Sequence, residues 1–179
     1  KRVAVLGAGT SGRAAARFLL DQDAEVTLAD DAERGALAIE VEPLEASGAT
    51  LAAGGLETAG QAFDVAVLSP GISIRDERVV RLREAGVEVI GEVELASRHI
   101  EAPILGITGT NGKTTATHLA GRMLEAAGKK VFVGGNVGTP LIEAVGGEWD
   151  AVVVELSSFQ LESIQQFRPK VAIWLNLTG

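Results

Sequence analysis

Val3-Ala4-Val5-Leu6-Gly7-Ala8-Gly9-Thr10-Ser11-Gly12 begins as an unbroken apolar run and closes on the pattern G-x-G-x-x-G. Four apolar residues without polar alternation suit a strand covered on both faces, as in a parallel sheet. Beyond Gly12, Ala14, Ala15, Phe18 and Leu19 recur at helical spacing, which places the glycines on a strand-to-helix turn. There, glycines permit a tight turn, close backbone approach of a diphosphate and helix-on-strand packing. The free N–H groups and dipole of the helix start then hold the anion. Gly9, Thr10, Ser11 and Gly12 are the candidate contacts. Asp30 ends the next strand, 23 positions after Gly7, where an acid commonly binds a ribose hydroxyl. The motif leaves open whether the ligand is NAD or another nucleotide diphosphate.

Outward from this turn, short apolar runs alternate with amphipathic stretches, the pattern of a parallel sheet layered with helices. Strands are expected at 25–29, 50–53, 64–68 and 87–90, the one at 64–68 stopped by Ser69-Pro70-Gly71. Helices are expected at 43–47, with Pro43 in the first turn, and at 76–85, ended by Gly86. After a helical connector at 91–99 the pattern restarts. Strands follow at 104–108, 130–133, 151–155 and 170–175, with a helix at 113–127 and helical pieces at 139–145 and 158–166. All five prolines are read as marking element edges. The fold class is therefore α/β: a Rossmann-like parallel-sheet domain over 1–97, then a truncated P-loop α/β domain over 98–179. Because the second unit stops just after its fourth strand, the chain reads as a fragment of a longer protein.

The second glycine loop is Gly109-Thr110-Asn111-Gly112-Lys113-Thr114-Thr115, again between a buried-type strand and a helix. It departs from G-x-x-x-x-G-K-[ST], since Ile107 stands where the first glycine would fall, but the G-K-T core is intact. In a P-loop, backbone N–H groups cradle phosphates, here with Lys113 reaching the β/γ-phosphates and Thr114 offering a hydroxyl to Mg²⁺. ATP is the expected ligand. Glu155, closing the strand Ala151-Val152-Val153-Val154, is placed to hold Mg²⁺ as a Walker-B acid does. Thus Lys113 and Glu155 are the catalytic candidates, and Thr114 and Glu155 the metal candidates. Ser157 and Ser158 lack a nucleophile elbow or paired base and read as helix caps. His118 and His99 read as packing or surface residues.

Composition narrows the classes further. The chain has 179 residues, 22 of them glycine, and a net charge of −8. Sequence-independent nucleic-acid binding is excluded, because it needs clustered Lys and Arg. With no cysteine and two histidines, thiolate zinc sites, disulfides and His-rich metal clusters are excluded as well. No run of 18 apolar residues and no charged leader followed by an apolar stretch is present, so a cytoplasmic protein without a membrane partner is expected, taken as a monomer.

Two nucleotide loops, one per sheet, distinguish the chain from a dehydrogenase and from a simple ATPase. Together with Ser69-Pro70-Gly71-Ile72, Gly134-Gly135-Asn136-Val137-Gly138-Thr139-Pro140 and Glu155-Leu156-Ser157-Ser158-Phe159-Gln160-Leu161, they give a sequence that resembles the Mur ligase family. The resemblance spans the whole chain but only the N-terminal domain and first part of the central domain of that family. It implies that the first loop takes the UDP part of a UDP-muramoyl nucleotide rather than NAD. Gly9 to Gly12 would face the diphosphate, Asp30 the uridine end, and Ser69, Pro70 and Gly71 the uracil or phosphates. Asn136 matches a residue that contacts substrate near the reacting end. Asp31 and Ala32 depart from the hydroxyl and basic residues that some relatives carry after the acid. The closing string Asn176-Leu177-Thr178-Gly179 matches the start of a segment that, in the family, continues into a metal-binding His and a carbamylated Lys. The implied activity is an ATP- and Mg²⁺-dependent amide ligation in peptidoglycan precursor synthesis. D-glutamate is joined to UDP-N-acetylmuramoyl-L-alanine through an acyl phosphate, and this fragment binds nucleotide substrate but is inactive alone. The competing classes are an NAD-dependent oxidoreductase built on the first loop and a P-loop switch ATPase.

Overall fold

The computed structural model of the chain describes residues 1–56 and 62–178, so Gly179 lies outside the described residues. It divides into two compact units, Lys1–Glu92 and Val93–Gly179.

In the first unit, β1 (Arg2–Leu6), β2 (Glu25–Asp30), β3 (Thr50–Ala53), β4 (Val65–Leu68) and β5 (Glu88–Gly91) form one sheet in the order β3-β2-β1-β4-β5. Every pairing is parallel. Helices α1 (Thr10–Asp21), α2 (Arg34–Ala46) and α3 (Glu77–Glu84) supply the crossovers from β1 to β2, from β2 to β3 and from β4 to β5. The chain reverses direction across the sheet at β1, so the carboxyl ends of β1, β2 and β4 open onto one crevice. Leu6, Leu28, Val67 and Ile90 are almost wholly buried on strands covered on both faces. At roughly 1.5–3 kcal/mol per buried large aliphatic side chain, such residues dominate the favourable side of folding. On α1, Ala14, Ala15 and Ala16 are buried, and their small size lets the helix lie close to the sheet.

The second unit contains β6 (Ile104–Thr108), β7 (Val131–Gly135), β8 (Ala151–Glu155) and β9 (Val171–Trp174), all parallel, in the order β7-β8-β6-β9. Helix α4 (Glu92–Ser97) leads into this unit, α5 (Lys113–Ala126) follows β6, and α6 (Ser158–Glu162) follows β8. Val152, Val153 and Val154 on β8 are fully buried, the continuous apolar run of an inner parallel strand. A division at 97/98 would fall at the end of α4, whereas by its contacts most of that helix goes with the second unit.

Three local expectations are corrected. The helix expected at 43–47 is the end of the longer α2, with Pro43 inside it rather than in its first turn or at an edge. Proline there removes only the bond to the carbonyl four residues back, that of Ile39, whose residue is 89% exposed and open to water. The piece at 139–145 is a single 3₁₀ turn, Leu141–Ala144. The helix expected to reach 166 stops at Glu162, because the N–H groups of Gln165, Gln166 and Phe167 donate to the carboxylate of Glu94. Glu94 is fully buried on α4 and also accepts from the Arg98 guanidinium. Burial pushes its carboxyl up, but these donors outweigh burial and hold it below the ordinary glutamate value.

Candidate functional site

The first loop is held from three sides. Gly7 N–H donates to the Ala29 carbonyl, and the buried Ser69 hydroxyl donates to the Gly7 carbonyl at 2.9 Å. A side chain at Gly12 would place its Cβ 1.8 Å from the Gly7 carbonyl oxygen, so α1 can approach β1 this closely only with glycine there. Asp30 is drawn in as well: its Oδ2 accepts the Ala8 N–H at 2.7 Å and its Oδ1 the Ala32 N–H at 2.9 Å. The acid expected to meet a ribose thus spends one lone pair of each oxygen on the loops around it. Gly9 caps α1 with no side-chain hydrogen bond, and a Cβ added there would meet nothing within 4 Å. The main chain at the helix start is therefore accessible to an anion. Pro70 and Gly71 follow directly from Ser69, beside the loop. Past the end of β2, Asp31 pairs with Arg78, which also grips Asp76, the N-cap of α3. That grip holds the Asp76 carboxyl below its usual value.

Strand order builds the second site. β6 lies between β8 and β9, and β7 lies beyond β8, so the carboxyl ends of all four strands bring distant residues together. Ile107 is in register with Glu155, Gly135 with Glu155, and Thr108 with Trp174. Gly109, Thr110, Asn111 and Gly112 span from β6 to α5, and Gly112 is the N-cap of that helix. The N–H groups of Lys113, Thr114 and Thr115 lie in the first helical turn and have no intrahelical acceptor. The Lys113 ammonium folds over the loop, donating to the carbonyls of Gly109 at 2.8 Å and Thr110 at 3.2 Å. Thr114 is exposed on the first turn of α5. A cleft of about 520 Å³ at this end of the sheet is lined by Gly109, Thr110, Lys113, Asn136, Ser157 and Asn176, among others.

Glu155 is 2% exposed, and its two oxygens differ. Oε1 accepts from the Asn136 side-chain amide at 3.0 Å, while Oε2 is buried with no hydrogen-bond partner. A buried carboxylate oxygen without a partner carries a large desolvation penalty, which a bound cation would offset. Gly135 sets up the pair. At φ 112 it turns the chain so that the Asn136 N–H donates to the Glu155 carbonyl at 2.9 Å, and a Cβ there would stand 2.3 Å from that oxygen. No cluster of three metal-ligating His, Cys, Asp or Glu side chains occurs among the described residues. The free oxygen of the Glu155 carboxylate fits Mg²⁺, which takes one or two protein carboxylates and completes its shell with phosphate oxygens and water.

Ser157 caps α6 in a reciprocal capping box with Gln160, in line with its reading as a cap. One further group has a role that the sequence did not signal. Asn176, beyond the last strand, reaches the phosphate loop and bonds Asn111 through its side chain. Nothing in the local pattern marks it, since its partner lies 65 residues earlier.

A Rossmann-like unit is followed by a second parallel-sheet unit with a G-K-T loop, and each carries its glycine loop at a strand-order reversal. The chain belongs to the Mur ligase family: residues 1–91 match the Mur ligase MurD-like N-terminal domain and residues 107–179 the Mur ligase middle domain. It is 48% identical over 182 residues to the UDP-N-acetylmuramoylalanine–D-glutamate ligase of Desulfatibacillum aliphaticivorans, covering 99% of this chain and 40% of that relative. A second such ligase, from Syntrophotalea carbinolica, is 47% identical over 181 residues, covering 100% of this chain and 40% of the relative. The chain spans about 40% of the length of these relatives. Among solved structures it is similar to the UDP-N-acetylmuramate:L-alanyl-gamma-D-glutamyl-meso-diaminopimelate ligase from Neisseria meningitides. There the TM-score is 0.59 at 23% identity, covering 99% of this chain and 61% of that one. The UDP-N-acetylmuramate-alanine ligase from Thermotoga maritima gives a TM-score of 0.55 at 20% identity, covering 99% of this chain and 42% of that one. At these identities the two structures bear on the fold alone. The oxidoreductase and switch-ATPase alternatives find no support among these relatives. Among the described residues, no helix is long and apolar enough to cross a membrane.

Proposed function

We propose that this chain is the nucleotide-handling part of an ATP-dependent ligase that joins D-glutamate to UDP-N-acetylmuramoyl-L-alanine. The observation that carries the reading is Glu155, buried beside an intact G-K-T loop with one oxygen tied to Asn136 and the other unpartnered. A dehydrogenase has no use for that pairing. The first unit takes the UDP moiety at the amides of Gly9, Thr10, Ser11 and Gly12. Asp30 and Ser69 act by fixing the loop, and Pro70 and Gly71 border the ligand.

In the second unit the first-turn amides of α5 and the Lys113 ammonium receive the phosphates of ATP, with Thr110, Asn111, Gly112, Thr114 and Thr115 shaping or lining the cradle. Thr114 and Glu155 would hold Mg²⁺, which when bound neutralises phosphate charge. Transfer of the γ-phosphoryl group of ATP to the muramoyl-peptide carboxylate gives an acyl phosphate and ADP, and attack by the D-glutamate amine then forms the amide and releases phosphate and a proton. The chain's own contribution to the first step is positioning and electrostatics. Lys113 follows the charge that moves onto the leaving oxygen, and the amides hold the phosphate chain in line for attack. Asn136 keeps the Glu155 carboxylate in one orientation and borders the cleft.

Calorimetric titration with UDP-N-acetylmuramoyl-L-alanine, Mg·ATP and NAD tests the reading. Binding of the first two, with NAD weaker than the UDP compound, is expected. Tighter NAD binding, or no UDP-compound binding below millimolar concentration, would overturn the assignment of the first unit. The chain alone is expected to show no measurable amide formation from the three substrates.

A further inference from the structure

Asn176 bonds the phosphate loop at several points. Its Oδ1 accepts the Asn111 N–H at 3.0 Å and its Nδ2 donates to the Asn111 carbonyl at 3.0 Å. The Asn176 main-chain carbonyl accepts the Thr110 N–H at 3.1 Å and the Trp174 indole N–H at 3.0 Å. On the other side of the same loop, Lys113 donates to the carbonyls of Gly109 and Thr110. These contacts share peptide planes. The Gly109 carbonyl and Thr110 N–H belong to one planar trans peptide, and the Thr110 carbonyl and Asn111 N–H to the next, with each carbonyl pointing opposite to its N–H. Two consecutive planes are therefore clamped, with Asn176 taking both donors and Lys113 both acceptors.

From this geometry we infer that Asn176 is a positioning residue for Lys113. By fixing the donor side of the Thr110–Asn111 peptides, it aims their carbonyls at the ammonium and sets where that charge stands over the phosphate site. It also withdraws the Thr110 and Asn111 N–H groups from the ligand, leaving the first-turn amides of α5 and Lys113 to meet the phosphates. Alanine at 176 frees the Asn111 plane, and the Thr110 carbonyl then no longer holds Lys113 in place. Aspartate keeps the acceptor for the Asn111 N–H but sets a carboxylate against the Asn111 carbonyl. This inference rests on the P-loop reading above.

The test is a titration of the 179-residue chain with Mg·ATP into the millimolar range, followed by the fluorescence of Trp174, which lines the same cleft. Four proteins are compared with the unmutated chain: Lys113→Ala, Asn176→Ala, Asn176→Asp and the Lys113→Ala/Asn176→Ala pair. Loss of two hydrogen bonds is expected to weaken Mg·ATP by about tenfold in Asn176→Ala, and Asn176→Asp is expected to be weaker still. In the Lys113→Ala background the same Asn176→Ala change is expected to have little further effect, the non-additivity of a residue that acts through another. Amide exchange at 110–111 is expected to quicken in Asn176→Ala while the β6–β8 ladder stays protected, which separates loop release from misfolding. Unchanged affinity in both Asn176 variants, or a loss that simply adds to that of Lys113→Ala, overturns the inference and leaves the P-loop reading standing. No Mg·ATP binding by the unmutated chain, or none lost in Lys113→Ala, overturns both together.

Discussion

The two glycine loops occupy the same place in their sheets and are built for different work. The first is held by groups of its own unit: Ser69 on the Gly7 carbonyl, Asp30 on the Ala8 N–H, the Arg13 guanidinium on the Ala8 carbonyl, and Gly12 against the strand. The cation among them, Arg13, is already paired with Glu40, and neither Asp30 oxygen is left without a partner. The second loop carries Lys113 on one side and, one strand away, a buried acid with an unpartnered oxygen. A loop whose free donors are amides can bind a diphosphate. A loop that adds a positioned ammonium and a neighbouring carboxylate with an unpartnered oxygen can also stabilise a phosphoryl group in transit. The −8 net charge of the chain is no obstacle, since the positive potential is local to helix starts and to Lys113.

The contrast is broken most sharply at the second loop. Lys113→Ala is expected to weaken Mg·ATP by about a hundredfold or more, the scale of a lost charge-assisted contact, while leaving UDP-compound affinity unchanged. Parallel calorimetric titrations of the two ligands check both halves. Glu155→Gln is expected to remove the Mg²⁺ dependence of ATP binding with less effect on metal-free nucleotide, because it discharges the oxygen that Asn136 leaves unpartnered. If both ligands lose affinity equally in either variant, the division of labour between the loops is wrong.

Gly12→Ala is the counterpart at the first loop. A methyl group 1.8 Å from the Gly7 carbonyl oxygen cannot be absorbed by a side-chain rotation. The helix must move off the strand, at a cost of roughly 1–3 kcal/mol as for other overpacked cores. UDP-compound binding is expected to be lost and Mg·ATP binding retained, with the stability loss read from urea unfolding. Retained UDP-compound binding would show that the helix start is not the diphosphate site.

Both motifs could be read from the sequence because their signals are local: glycines between an apolar run and a helical period, followed by Lys113. Glu155 was legible for the same reason, as the acid closing Val152-Val153-Val154. The remaining features depend on strand order. The contact of Asn176 with Asn111 exists because β6 is flanked by β9, and the Asn136–Glu155 pair because β7 is flanked by β8. The early end of α6 depends on Glu94, whose partners lie 71 to 73 residues away. Asp30 shows a subtler limit. Its position was read correctly, but a carboxylate at a strand end can serve a ligand or the backbone, and its spacing is identical in both cases.

Acid sets a further contrast between the units, smaller than the ligand effects. Glu94 in the second unit and Asp76 in the first both have carboxyls held below their ordinary values. A depressed native value means that the unfolded chain binds more protons over the window between the two values, so stability rises with pH there. The contribution is complete above the unfolded carboxylate value of about 4 and is lost as pH falls through the native value. Glu94 accepts from three main-chain N–H groups and the Arg98 guanidinium, whereas Asp76 faces mainly Arg78. Urea midpoints measured between neutral pH and pH 3 should therefore flatten more in Glu94→Gln than in Asp76→Asn. Equal flattening would mean that the main-chain donors to Glu94 hold its carboxylate no more firmly than Arg78 holds that of Asp76.

The smallest expected effect is the most discriminating for the first loop. Ser69→Ala removes one buried hydrogen bond to the Gly7 carbonyl, worth about 1 kcal/mol. It leaves Asp30, Gly12 and the sheet register untouched. If Ser69 acts only by fastening the loop, the variant should lose that stability in urea and bind the UDP compound within a few-fold of the unmutated chain. If its hydroxyl also meets the ligand directly, affinity should fall by more than the stability loss explains. Asp30→Asn in the same background should loosen the loop further, leaving it held by the Gly7 bond to the Ala29 carbonyl and by Arg13 on the Ala8 carbonyl.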